Sequence, residues 1–186
     1  HAVVALLTNG EVVSIELFSD TSGITKTKTK GFFSRFFVAI SGYFFSSAVA
    51  YLFLYMVKNN NSYWIVFYIL SSISIINLIL WVRNIYGIMW IIIFNILIFI
   101  IFKYASHDLQ YIFSVIISSI LLLESVSSSF TILKMSFKNP SLSGDAKILN
   151  TSTKIHPFFW GIFFFLQSIF FLYISINLFI PDNTLF

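Results

Sequence analysis

Five stretches of this chain are apolar over the length needed to cross a lipid bilayer, and this limits the fold more than any other feature. They cover residues 33–57, 63–82, 85–102, 109–133 and 157–180. A spanning helix needs about 20 mostly apolar residues, and the third run is the shortest of the five. Breaks fall at 58–62, 83–84, 103–108 and 134–156. The runs are continuously apolar, whereas the strands of a membrane barrel alternate, so helices are expected. Only 10% of the residues are charged, against about 25% in a soluble domain. Too few charges remain to coat a water-facing surface. The 24 Phe belong in lipid or within a helix bundle. The fourth run carries Glu124 and several Ser, so its C-terminal half is expected to face protein. The expected fold is an all-α polytopic membrane protein, one membrane domain over residues 1–186.

Lys and Arg alone set the expected orientation. If residues 9–32 lie on one side, five spans put 83–84 and 134–156 on that side too. It then holds Lys26, Lys28, Lys30, Arg35, Arg83, Lys134, Lys138, Lys147 and Lys154. The other side holds Lys58 and Lys103. The cation-rich side, with loops 9–32, 83–84 and 134–156, is expected to be cytoplasmic.

The first 30 residues read differently. Residues 1–9 look like the end of a helix, and Asn9-Gly10 is a C-terminal stop signal. Along 11–18 the pattern alternates, with Val13, Ile15 and Leu17 on one face and Ser14 and Glu16 on the other. Residues 19–23 are turn-like, and 24–30 alternate Thr with Lys. A small β-hairpin over 11–30, on the cytoplasmic side, is predicted. The chain opens at His1 without a charged leader, so no signal peptide is read. A missing upstream part is expected.

Cys is absent, which excludes disulfides and thiolate metal sites. The ionisable candidates are His1, Glu11, Asp20, His107, Asp108, Glu124, Asp145 and His156. Most sit in predicted loops, where a solvated side chain is the ordinary reading. Glu124 lies nearer a span, where it either pairs within the bundle or marks an interfacial end. From His1 to Gly10 is roughly 14 Å of helix at 1.5 Å per residue, so His1 is expected below the membrane surface. Asp145 belongs to a segment on the same side. Zinc accepts an imidazole nitrogen and a carboxylate oxygen, but a lone His and a lone Asp do not by themselves argue for a metal.

A family resemblance changes that balance. His1-Ala-Val-Val-Ala-Leu-Leu-Thr-Asn-Gly10, then Val13-Ser-Ile-Glu-Leu17 and Ser22-Gly-Ile-Thr25, resemble the start of membrane zinc metallopeptidases of the site-two protease type, in their B-like branch. That branch has H-E-x-x-H, small and apolar residues, T-G-G, a V-x-S-I-E-L strand and S-G-x-T. Gly42-Tyr43 with Ser46-Ser47 resembles its G-Y-x-G-S-S segment. Gly144-Asp-Ala-Lys-Ile-Leu149, Thr153, Pro157 and Trp160 resemble its G-D-A-x-x-L, T, P and W pattern. The resemblance covers residues 1–47 and 143–161. Asn9 and Phe45 stand where the branch has Gly.

The resemblance implies an intramembrane zinc metallo-endopeptidase that hydrolyses a peptide bond in a transmembrane protein substrate. His1 corresponds to the second His of H-E-x-x-H, and Asp145 to the downstream carboxylate ligand. His156 is a rival for that ligand. The first His and the general base Glu are expected upstream of residue 1, so no catalytic residue is present and the chain alone is expected to be inactive. Val13, Ile15 and Leu17 are the expected substrate-binding strand, by β-augmentation. Zinc is the expected cofactor and the lipid bilayer the surroundings; no nucleic-acid partner is expected. Alternatives are a non-catalytic membrane scaffold of the same fold and, further off, a small transporter.

Overall fold

The chain begins with a short helix that stops where its sequence says it should. In the computed structural model, which describes residues 1–19, 22–58 and 63–180, α1 spans Ala2–Leu7. Asn9 adopts a left-handed φ of 57°. The N–H of Gly10 donates to the Ala5 carbonyl at 2.8 Å, and that of Asn9 to Leu6 at 3.3 Å. This is the double closure of a Schellman stop, and Asn tolerates the left-handed position better than most residues. A Cβ on Gly10 would lie 2.8 Å from the Lys28 carbonyl and 2.9 Å from that of Ala5. Glycine there lets the chain turn directly into the hairpin.

Strands β1 (Glu11–Leu17) and β2 (Gly23–Lys28) pair antiparallel. The alternation read from the sequence fails at one point. A register shift between Val12 and Ser14 places Val12 opposite Thr27. Val13 is left unpaired and 49% exposed, as the extra residue of a bulge is. Lys26 donates to Glu16 at 2.6 Å, which holds the Glu16 carboxyl below its usual range.

Five long helices follow: α2 (Gly31–Lys58), α3 (Tyr63–Leu80), α4 (Ile85–Tyr104), α5 (His107–Lys138) and, after α6 (Asp145–Thr153), α7 (Pro157–Phe179). Each of the five is long and apolar enough to cross a membrane. Asp20 and the break at 59–62 lie outside the described residues. Helix α5 starts at a Ser106 cap, whose side chain accepts the Leu109 N–H at 3.4 Å, with Asp108 complementing the N-terminal dipole. It runs past the apolar stretch to Lys138. Lysines do not end a helix, whereas Pro140 disfavours helical backbone at Asn139. At 32 residues it is about 48 Å long, more than the roughly 30 Å hydrocarbon core. Helix α7 opens with Pro157 behind His156, whose ring accepts the Phe158 N–H at 3.3 Å.

Small polar residues hold the bundle together. Ser114, Ser118, Ser125, Ser129 and Ser136 are buried along one side of α5, at alternate spacings of four and seven. Ser129 and Ser168 hydroxyls meet at 2.7 Å, and Ser47 donates to Ser125 at 3.2 Å. A Cβ on Gly161 would lie 3.0 Å from the Leu133 Cα and from the Ser136 hydroxyl, so α5 and α7 cross closely. Lipid tails are as apolar as Leu, so close packing and interhelical hydrogen bonds bring such helices together. The expectation for the fourth run holds for these serines. Glu124 is on another side of α5 and is exposed.

The hairpin and residues 81–84 lie at the same end of the bundle. Ile15 donates to the Trp81 carbonyl at 2.8 Å and accepts from the Arg83 N–H at 3.3 Å. Asn84 donates to the Leu17 carbonyl at 2.6 Å and accepts its N–H at 3.1 Å. Helix α6 packs on α2 and α7 at this end too, around Ala39, Ala146, Leu149 and Phe164.

Candidate functional site

His1 and Asp145, 144 positions apart, meet in this structure. The His1 Nε2 lies 3.3 Å from the Asp145 Oδ2. Each residue is carried there by a different local device. His1 is the N-cap of α1, and its other ring nitrogen, Nδ1, is 2.6 Å from the Val38 carbonyl on α2. Asp145 is the first residue of α6, just after Gly144, which has a φ of +53°. Ser143 is buried beneath that turn and donates to the Pro140 carbonyl at 2.8 Å.

A carbonyl can only accept, so Nδ1 carries the proton and donates. Nε2 then faces the carboxylate: protonated, it pairs with Asp145, which, against the opposing effect of burial, raises the imidazole's affinity for its proton, and deprotonated, its lone pair would be open to a metal. Fixing the tautomer through the second nitrogen is how metal-bound imidazoles are commonly held.

The separation of 3.3 Å lies within ion-pair range and is also compatible with two ligands on one metal. A charge-assisted N–H···O bond is shorter, about 2.7–2.9 Å. Two donors at about 2.0–2.1 Å from one tetrahedral zinc stand about 3.3–3.4 Å apart. The donor chemistry also suits zinc. Among the described residues no third His, Cys, Asp or Glu joins the pair, so they bring two potential donors to this point, where zinc takes four ligands.

Gly42 makes room for the imidazole. A Cβ there would overlap the Nε2 and Cε1 of His1. Glycine inside a helix costs about 1 kcal/mol relative to Ala, and it is the one glycine within α2 after the first residue. That was the sequence signal for a close approach, although the residue had been read only as part of a motif. Phe45, the departure from the same motif, is 54% exposed and points away from the site.

The pair opens into a cavity of about 470 Å³. Thr25, Thr27, Thr29, Arg35 and Tyr43 line it with His1 and Asp145. The three Thr are half-buried and the intervening Lys26 and Lys28 exposed, so the Thr–Lys alternation gives β2 an inner and an outer face. Val13, Ile15 and Leu17 do not line this cavity. Their strand, β1, has one edge paired with β2 and the other closed by residues 81–84. The unpaired edge belongs to β2. Ile15 sits opposite Thr25 and sends both its backbone groups away from the pair. In an antiparallel ladder, Thr25 does the same on its own side.

The other candidates are dispersed. His156 caps α7 and does not line the cavity. His107 Nδ1 meets the Tyr63 hydroxyl at 2.7 Å, between α5 and α3. Glu11 lies 4.0 Å from Lys28 at the start of β1.

Comparison with known families identifies one. The sequence profile of a family described as Peptidase M50B-like matches residues 1–175. No curated protein and no solved structure matches the chain.

Proposed function

The chain belongs to the peptidase M50B-like family, and from that premise we propose that it is the membrane domain of an intramembrane zinc endopeptidase. The observation that carries this reading is the His1–Asp145 pair at 3.3 Å, with the Nδ1 proton committed to Val38. His1 would hold zinc through Nε2 and Asp145 through a carboxylate oxygen. Bound zinc supplies Lewis-acid polarisation of the scissile carbonyl and of the attacking water. The other His ligand of H-E-x-x-H, and the Glu that acts as general base without binding the metal, would come from residues preceding His1.

The chain's own residues do the rest. Val38 orients the imidazole. Gly42 leaves it space. The open edge of β2 presents the backbone N–H and C=O of Thr25 to an extended substrate, while Thr25, Thr27 and Thr29 line the cavity beside it. A substrate helix must unwind to be cut, and a strand edge satisfies the backbone groups it frees. This moves the docking strand from β1 to β2. The cation-rich end that carries the site would face the cytoplasm.

The test is zinc content and cleavage of a single-span test protein, using the chain extended by the sequence encoded before His1. One zinc per chain, lost in Asp145→Ala together with cleavage, is the expected result. Full zinc in Asp145→Ala would remove the site. Cleavage that survives chelation would remove the mechanism.

A further inference from the structure

Glu124 stands at membrane depth on an outward face, and depth follows from two helices. Helix α7 has 23 residues, about 34 Å, so it fills a hydrocarbon core of about 30 Å. Its middle residue is Ser168, whose hydroxyl touches that of Ser129 on α5. Ser129 therefore marks the mid-plane on α5. Glu124 precedes it by five residues, about 7–8 Å along the axis, and lies well inside a half-core of about 15 Å. The short Glu side chain does not reach the interface from there.

The side chain is exposed, and its hydrogen bond among the described residues is with the Ser128 hydroxyl at 3.3 Å. Ionisable groups in membrane spans are costly and nearly always face the interior of a bundle or a polar cavity. Glu124 does neither. It also begins a polar stripe. Ser127 and Thr131 follow at three and seven residues, both exposed, with Ser128 half-buried between them. Such spacing keeps one face of a helix, and small polar residues allow a second helix to approach closely.

We propose that this face of α5 docks a membrane-spanning helix of another protein, one that brings a Lys or Arg to the depth of Glu124. Charge complementarity selects the partner. A second copy in the same orientation does not bring a cation to this depth: Arg35, Lys58, Lys103 and Lys138 lie near the ends of their helices, and Lys134, five residues beyond Ser129, lies in the opposite half of the membrane. A foreign helix with one basic residue satisfies the carboxylate and covers the Ser–Thr stripe. The site is remote from the His1–Asp145 pair and does not depend on the zinc reading.

The test uses the full chain in phosphatidylcholine vesicles with two synthetic Leu–Ala spanning peptides, one carrying a single Lys about 7 Å from its centre and one carrying Leu there. Association is read by energy transfer. The Lys peptide should bind about tenfold more tightly, in line with polar pairs between model membrane helices. Glu124→Leu should abolish the preference, and Glu124→Lys should transfer it to a Glu-bearing peptide. Glu124→Gln, nearly the same shape, serves as the variant if Glu124→Leu misfolds, and should weaken the preference. Equal binding of both peptides to the native chain overturns the proposal. So does a Glu124-dependent dimer of the chain alone, which would make a second copy the occupant.

Discussion

At the scale of single residues, the site depends on two atoms that are not candidates for chemistry. The Val38 carbonyl decides which imidazole nitrogen faces Asp145, and the missing Cβ of Gly42 decides where the ring can lie. Gly42→Ala should strengthen α2 as a helix by about 1 kcal/mol and yet displace His1. Zinc affinity of the upstream-extended protein is expected to fall at least tenfold, the usual scale for disturbing what supports a metal ligand. Competition with a chelator measures it, with Phe45→Ala on the outward face as the control. Undiminished zinc binding in Gly42→Ala would mean that the imidazole is not a ligand in this position. His1 and Asp145 were both legible in the sequence as parts of motifs. The resemblance implied that they converge, whereas their separation of 3.3 Å depends on how α6 seats against α2.

Among the elements, the hairpin shows how an alternating pattern can announce two strands and leave open which edge is free. The alternation of 11–17 announced a strand, and the Thr–Lys alternation of 24–30 a second. We propose β2 rather than β1 as the docking strand for two physical reasons. The bulge at Val12–Val13 shifts the apolar alternation, and the 81–84 segment occupies the outer edge of β1. Neither is visible in local sequence. Thr25→Pro tests the alternative. It removes an N–H that points to the open edge, so the β1–β2 ladder and the His1–Asp145 pair should survive. Cleavage by the extended protein should fall more than tenfold while zinc content is unchanged. Native cleavage rates in this variant would dismiss β2 as the substrate strand.

For the whole molecule, the arrangement of charge follows the alternating path of five helices. The end with the hairpin, residues 81–84 and α6 gathers nine cations, and the other end has Lys58 and Lys103. Absence of native Cys makes orientation directly measurable. With a membrane-impermeant maleimide on intact cells, Ala105→Cys should be labelled and Ser141→Cys should be protected until the membrane is opened. The reverse pattern would place the site on the external face and exclude the cytoplasmic assignment.

Hydrophobicity, cation placement and helix stops are short-range properties, so the sequence by itself determined the five spans, their alternation, the Asn9-Gly10 stop and the existence of a hairpin. Helix α5 extends past the apolar run 109–133, because apolarity ends at Lys134 while helical geometry continues until Pro140 intervenes. Only the tertiary structure decided the separation and orientation of the His1–Asp145 pair, the strand whose edge stays open, and the outward aim of Glu124. Each of these depends on which faces of distant segments come together. In a bilayer that choice rests on close packing of small residues such as Ser129, Gly161 and Ser168, and no local pattern records it.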